Sequence, residues 1–556
     1  MEPSTEVASF QVGSKAPAQP SSAKKGSAFW LSVVAILVTT LLSALDLTAV
    51  STALPTITAD LGGADNFVWV GSAYGLSSSA ILPLSGCLAN IFGRKPIILI
   101  FIAFFALGSA LAGAAQNMNM LIAARTIQGI GGGGILSLSD ILMSDLVPLP
   151  ERGIYEGIFA LTWAFASGIG PPIGGAFAQK ASWRWLFYLN LPLSGISFGL
   201  VVIFLKVRAP QGSIWEKLKR VDWIGNFIVI AGSTLAITGL TFAGIKFPWN
   251  SAQVLVPLIV GLVLIGVFIL YEAKIPREPT IPWRVVNNPT VLSAYLATFT
   301  HGIGSIAVAY YLPVYFQACK GDDPIHSGIA MLPTALVIAP FAIVTGVSVN
   351  VLGKYRPANI VGWVLILVGF GVLSLLKLDS STGQWVGYQI VVSAGLGFIY
   401  SSTIFPTLAP LPIEDAASAL AFLAFVRAFA QTWGITIAST VLQNELKSKL
   451  PKDFTSLFPQ GLEIAYAAIP VIGTLSEPLR TDVRVAFAQS LSIVWKCMIG
   501  ISGLGLISLT FLKEVKMASN MDDRFALEPG GEGEESGPGE DPEKVDGTLL
   551  SSSHKE

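Results

Sequence analysis

The stretch "LVTTLLSALDLTAVSTALP", Leu37–Pro55, decides how this chain is read. It is apolar enough to sit in lipid, yet it holds a carboxylate, Asp46, near its middle. An acid at the centre of a spanning helix costs about 2.5–3.5 kcal/mol on insertion scales. Something must offset that cost, so Asp46 predicts a polar partner or a hydrated cavity inside a bundle of helices.

Composition agrees with a membrane setting. The 556 residues are 52% hydrophobic and only 12% charged, against about 25% charged in soluble domains. Mean hydropathy is +0.65. The apolar runs are continuous rather than alternating, which predicts an all-α membrane protein and argues against a barrel. A net charge of -1 gives no footing for a nucleic-acid partner. Cys87, Cys319 and Cys497 are scattered and suggest neither a metal cluster nor a disulfide framework. The chain has no phosphate-binding GK[ST] string and no H-E-x-x-H, and no cofactor, no metal and no enzymatic activity is expected. "GIGGGG", Gly129–Gly134, matches a dinucleotide fingerprint in form only, because it lies inside an apolar helix; close helix approach is the better reading.

At about 20 residues per span, fourteen spans are expected, near 29–52, 67–89, 96–115, 119–143, 154–178, 184–206, 222–243, 253–271, 291–316, 326–350, 357–377, 384–408, 416–441 and 486–512. An even number places both ends on one side. Lys24, Lys25, Arg94, Lys95, Arg152, Lys354 and Arg356 share that side, while the opposite short loops hold little beyond Lys180, Lys246, Lys320 and Lys377. Both termini are therefore expected in the cytosol, with the long 442–485 connection outside. Residues 1–28 and the acidic segment 513–556 read as disordered cytosolic tails.

Two loops look alike. "GCLANIFGRKP", Gly86–Pro96, closes the second span, and "GVSVNVLGKYRP", Gly346–Pro357, closes the tenth. Gly86, Asn90, Gly93 and Arg94 match Gly346, Asn350, Gly353 and Lys354. Any tight turn between helices collects glycine and a basic residue, but the shared Asn and equal spacing favour a repeat. Two six-helix bundles, 29–206 and 291–512, with two inserted helices in 207–290, account for the offset. Parallel repeats of this kind are a transporter architecture, with the substrate held between the halves.

Six stretches in order, "LDLTAVSTALPTITADL", "GCLANIFGRKP", "LIAARTIQGIGGGG", "GIGPPIGG", "WRWLFYLNLP" and "YYLPVYFQACKG", resemble the signatures of the fourteen-span drug:proton antiporters of the major facilitator superfamily, in their fungal form. The resemblance covers about residues 29–512. It implies two bundles rocking about a central cavity, with export driven by proton entry. The partners it implies are a small-molecule substrate, protons and the lipid bilayer, handled by a functional monomer. The chain departs from the family at Asn90, where an Asp is usual, and at Ile91, where a basic residue is usual; the charge-assisted part of that gate is expected to be weaker.

Asp46 and Arg125 are the proton-coupling candidates: a carboxylate that takes and releases a proton, and a guanidinium that stays charged beside it. The competing readings place Asp46 at a hydrated helix end and send Arg125 snorkelling to an interface. Gln128, His301, Tyr311 and Gln317 are the substrate-cavity candidates, Gln128 because it lies one turn from Arg125. His301 reads either as a packing residue or as a proton relay. Gly86, Asn90, Gly93 and Arg94 are gating candidates, as are Gly170, Pro171, Gly174 and Gly175 of "GIGPPIGG", a motif resembling the one that separates exporters from importers. The plain alternative for that motif is an ordinary kinked packing helix. Asp140 reads as a solvated carboxylate near the cytosolic end of its span. Arg427 is expected to pack between halves or reach the cytosolic boundary.

The function expected is proton-coupled export of xenobiotics or a fungal secondary metabolite across the plasma membrane. A vacuolar carrier of basic amino acids or siderophores is the alternative, and a non-transporting sensor ranks below it.

Overall fold

The computed structural model describes residues 25–61, 68–243, 247–276, 278–451, 454, 464–518 and 523–525. Most of both expected tails, residues 1–24 and 526–556, lies outside the described residues. Among those described, the regular structure is helical, and a lone bridge pairs Ala243 with Phe247.

The early helices are α1 (Ser27–Leu61), α2 (Val68–Phe92), α3 (Arg94–Gly113), α4 (Met118–Leu146), α5 (Leu149–Lys180), α6 (Arg184–Tyr188) and α7 (Asn190–Phe204). A short α8 (Ile214–Arg220) leads to the hairpin of α9 (Trp223–Phe242) and α10 (Ala252–Lys274). The late helices are α11 (Trp283–Asn287), α12 (Pro289–Tyr315), α13 (Pro324–Ala330), α14 (Leu332–Leu352), α15 (Arg356–Leu373), α16 (Thr382–Ser402), α17 (Ile404–Leu408), α18 (Ala416–Lys449), α19 (Ile464–Ile472) and α20 (Leu479–Ser508).

Local chemistry sets the ends. Asn117 accepts from Met120 N at 2.9 Å to cap α4, and Asn288 accepts from Thr290 N at 2.9 Å to cap α12. Gly93 and Gly353, matched in the two loops, both take positive φ, 96° and 64°, where an L side chain is strained. After Pro313 the chain winds into a π turn, Phe316–Lys320, which holds Gln317.

Among the described residues, twelve helices are long and apolar enough to cross a membrane, and the chain is an integral membrane protein. The fourteen expected are thus not reached on length and composition. The two missing are α4 and α5, which are 29 and 32 residues long but diluted with glycine and with buried Arg125, Gln128, Arg152 and Glu156. Two boundaries move as well. Helix α18 runs to Lys449 and α20 starts at Leu479, so much of the connection expected at 442–485 is helical. Hydropathy marks where a helix can face lipid and not where its hydrogen bonds stop; the last turns of α18 carry a Glu445–Lys449 pair instead of apolar residues.

Helices α1–α7 pack on one another, as do α12 with α18 and α20, and α14 with α15 and α16 through α16. The early and late groups meet along α5 against α14 and along α2 against α18. The α9–α10 hairpin leans on both through α9. At the end where the described chain begins and stops, these seams are tight. A Cβ on Gly86 would sit 2.6 Å from Ala421 Cβ, and one on Gly153 would sit 2.6 Å from Gly346 Cα. Ser401 Oγ donates across to Gly153 O at 3.1 Å. Residues 513–515 pack there too: Glu514 accepts from Tyr355 N at 2.9 Å, and Tyr355 donates to Lys513 O at 2.6 Å.

Candidate functional site

Asp46 lies midway along α1 and is 1% exposed, as is Arg125 of α4. Arg125 Nη1 donates to Asp46 Oδ2 at 2.6 Å. Gln128 Nε2 and Asn190 Nδ2 both donate to Asp46 Oδ1, at 2.9 and 2.8 Å. The guanidinium also donates to Gln128 Oε1 at 2.7 Å and, through Nε, to Val70 O at 3.1 Å. It stands 4.4 Å over the Tyr74 ring, whose hydroxyl meets Ser43 Oγ at 2.9 Å. Gln128 Nε2 reaches Ser109 Oγ at 2.8 Å.

The sequence builds this place in steps. The i, i+3 spacing of Arg125 and Gln128 puts both on one face of α4. The glycines around them let α2 and α3 close in: a side chain on Gly108 would strike the Gln128 backbone, and one on Gly132 the Tyr74 hydroxyl. The break between α6 and α7 at Leu189 delivers Asn190. The offset that Asp46 required is therefore a fully hydrogen-bonded ion pair, and neither Asp46 nor Arg125 reaches an interface. Removing one member of such a pair costs about 3–5 kcal/mol, because the other is left buried and uncompensated. All of its partners belong to the early helices.

The other cavity candidates do not join this network. His301 Nε2 meets Leu396 O at 3.0 Å inside the late group. Tyr311 is 1% exposed and donates to Ile435 O at 2.9 Å, tying α12 to α18. Gln317 Nε2 lies 3.4 Å from Ser327 Oγ beside α13.

The first loop carries a buried ion pair. Arg94 Nε donates to Asp145 Oδ2 of α4 at 2.8 Å, with both side chains buried. Asn90 Oδ1 accepts from Arg94 Nη1 at 2.9 Å, and Asn90 Nδ2 lies 3.4 Å from Ser418 Oγ on α18. That ion pair lies within the early group, and the contact across to α18 is the neutral Asn90–Ser418 one. In "GIGPPIGG", Gly170 abuts Thr48 of α1, Gly174 is buried and Gly175 has open space; α5 runs through unbroken, and the Pro171 side chain lies outside the described residues. On the opposite side of the bilayer, Asp60 accepts from Arg184 at 2.8 Å and Trp183 at 2.9 Å, and these bonds hold its carboxyl below the usual range.

Asn190, Asp145 and Glu156 were not singled out from sequence. Asp145 and Glu156 sit near span ends, where an acid costs little and carries no signal. Asn190 lies within the quoted "WRWLFYLNLP", and only the helix break reveals what it does. Asp140, read as a solvated carboxylate, is partly exposed and lies within electrostatic reach of Arg427, Glu156 and Tyr400.

A family model described as Major Facilitator Superfamily matches residues 36–435. The efflux pump FUS6 of Gibberella moniliformis is 40% identical over 517 residues, 92% of each chain. The acurin A biosynthesis cluster MFS-type transporter of Aspergillus aculeatus is 38% identical, over 91% of this chain and 93% of its own. Among solved structures, the proton:xylose symporter XylE is 14% identical with a TM-score of 0.56, covering 89% of this chain and 98% of that one, a likeness of fold. With its helical layout and a family match over most of its length, the chain belongs to the Major Facilitator Superfamily.

Proposed function

We propose that this protein is a proton-coupled antiporter that exports small, fairly apolar organic molecules by alternating access. The names of its relatives, an efflux pump and a transporter of a metabolite biosynthesis cluster, support export of a secondary metabolite or xenobiotic. The observation that carries the coupling is the Asp46–Arg125 pair, a protonatable carboxyl held by a permanent cation deep inside the helix bundle.

In this reading, 29–206 and 291–512 are the two bundles and 207–290 inserts two helices. Helices α4 and α5 also cross, which makes fourteen spans. The monomer sits in the plasma membrane with both termini in the cytosol. Gly86, Asn90, Gly93 and Arg94 then form the inner gate, closed here against α18, so that the cavity faces outward. Gly170, Pro171, Gly174 and Gly175 let α5 slide along α1.

Comparing metabolites in cells with and without the gene identifies the retained compound. With that compound in proteoliposomes, Asp46→Asn is expected to abolish uphill transport while membrane insertion stays intact. Normal pH-driven accumulation by that variant overturns the role of Asp46.

A further inference from the structure

The Asp46 network has a property that bears on coupling: every group that touches Asp46 moves with the early helices. A rocking motion between the groups leaves its surroundings unchanged. A different set of charges lies across the seam.

Asp140 of α4 and Glu156 of α5 come from the early group. Arg427 of α18, Tyr400 of α16 and His301 of α12 come from the late group. Asp140, Glu156, Tyr400 and Arg427 are within electrostatic reach of one another, and His301 is within reach of Arg427. Glu156 is 5% exposed, and neither it nor Asp140 has a hydrogen-bond or ion-pair partner among the described residues. The Arg427 guanidinium stands 4.5 Å over the Tyr400 ring, and its buried Nε has no acceptor. Asp46 and Asp145, buried acids of the early group like Glu156, differ from it in that each is paired with an arginine.

Glu156 also sits at the closing contact itself. Its helical neighbours are the seam residues: Gly153, one turn before it, abuts Gly346, and Gly157, the next residue, abuts Ile343 of α14. Ser401, which bonds Gly153 O, follows Tyr400 directly. Parting α5 from α14 and α16 therefore opens Glu156 to water and carries it away from Arg427.

We propose that Asp140, Glu156 and Arg427 form a second proton-exchange site, which spans the two groups and binds one proton each time the seam closes. This rests on the proton-coupled reading above and adds the residues that sense the motion. Glu156 is buried without a hydrogen-bond donor, so closing the seam over it favours the neutral acid, and one proton taken from water onto a carboxylate oxygen removes the cost of burying its charge. When the seam opens, water solvates both carboxylates and the proton leaves on the side then exposed. The groups facing Glu156 are Asp140 from α4, Tyr400 from α16, Arg427 across the seam with His301 beside that arginine, and Arg152 on its own helix. Helices α14 and α17 carry no titratable residue, and Asp46 of α1 is occupied by Arg125.

The test reads the seam directly and needs no cargo. Cysteines introduced at exposed Lys206 and Leu352, with Cys87, Cys319 and Cys497 replaced by alanine, carry spin labels on the early and late groups of the full chain. The distance between the labels is then measured from about pH 8 to about pH 5, the window in which a perturbed carboxyl changes charge. The unsubstituted site is expected to shift toward the closed distance as pH falls. Glu156→Gln and Asp140→Asn are expected to hold the closed distance throughout, and Glu156→Asp to restore the shift, which a merely structural role would not predict. A full pH-dependent shift in both Glu156→Gln and Asp140→Asn overturns the proposal. So does the absence of any shift with the site intact. In either case the Asp46 reading stands if export by the intact protein still follows the pH gradient.

Discussion

Arg94 shows how a buried charge chooses its partner. Its Nε is bound by Asp145 and its Nη1 by Asn90, with the first bond between opposite charges and the second from a cation to a neutral amide. Asp145→Ala is therefore expected to cost about 3–5 kcal/mol, because the guanidinium stays buried without compensation. Asn90→Ala is expected to cost about 1.5–3 kcal/mol, the range for one hydrogen bond to a charged group. Thermal unfolding of the two variants in detergent checks the order; equal losses would mean that Asp145 is not the counter-charge. Asp46, Arg125 and Gln128 were legible in the sequence because polar groups deep in apolar runs are costly and must be there for a reason. Asp145, Glu156 and Asn190 were not, because near a span boundary or a helix break the same residue types carry no such penalty. Tyr311 was read as a cavity residue from its motif, and the structure buries it against α18, a choice set by helix rotation that no spacing reveals.

Between helices, small residues decide which faces can close. Gly153 and Gly346 bring α5 and α14 together so tightly that a Cβ on either meets the other's backbone. Gly346→Ala is expected to part that seam and raise the reactivity of a cysteine placed at Ser401 toward a water-soluble thiol reagent. Gly175→Ala, on the same α5 but with open space around it, is expected to leave reactivity unchanged. Similar reactivity in both variants would show that the Gly153–Gly346 contact does not close the seam. The matched loops, each turning at a glycine with positive φ, were readable from sequence because that backbone shape restricts the residue allowed. Helix ends were less readable. In α18 the helix continues through charged residues that lipid would reject, so the apolar pattern stops before the hydrogen bonds do.

Over the entire chain, the early and late helices form two groups that touch along two seams, with the α9–α10 hairpin bridging them. That layout places one buried charge network within a group and another across the divide. In the proposed mechanism the first is the protonatable centre, and the second is the one whose surroundings change as the groups move. Coupling export to acidity needs both a carboxyl that binds a proton and a motion that alters its access. Flux of the cell-derived cargo into proteoliposomes, followed with and without an imposed pH difference, addresses this directly. Accumulation above the external concentration only while the pH difference lasts, and its collapse on adding a protonophore, is the result expected. Equal flux with and without the difference would contradict proton-driven export.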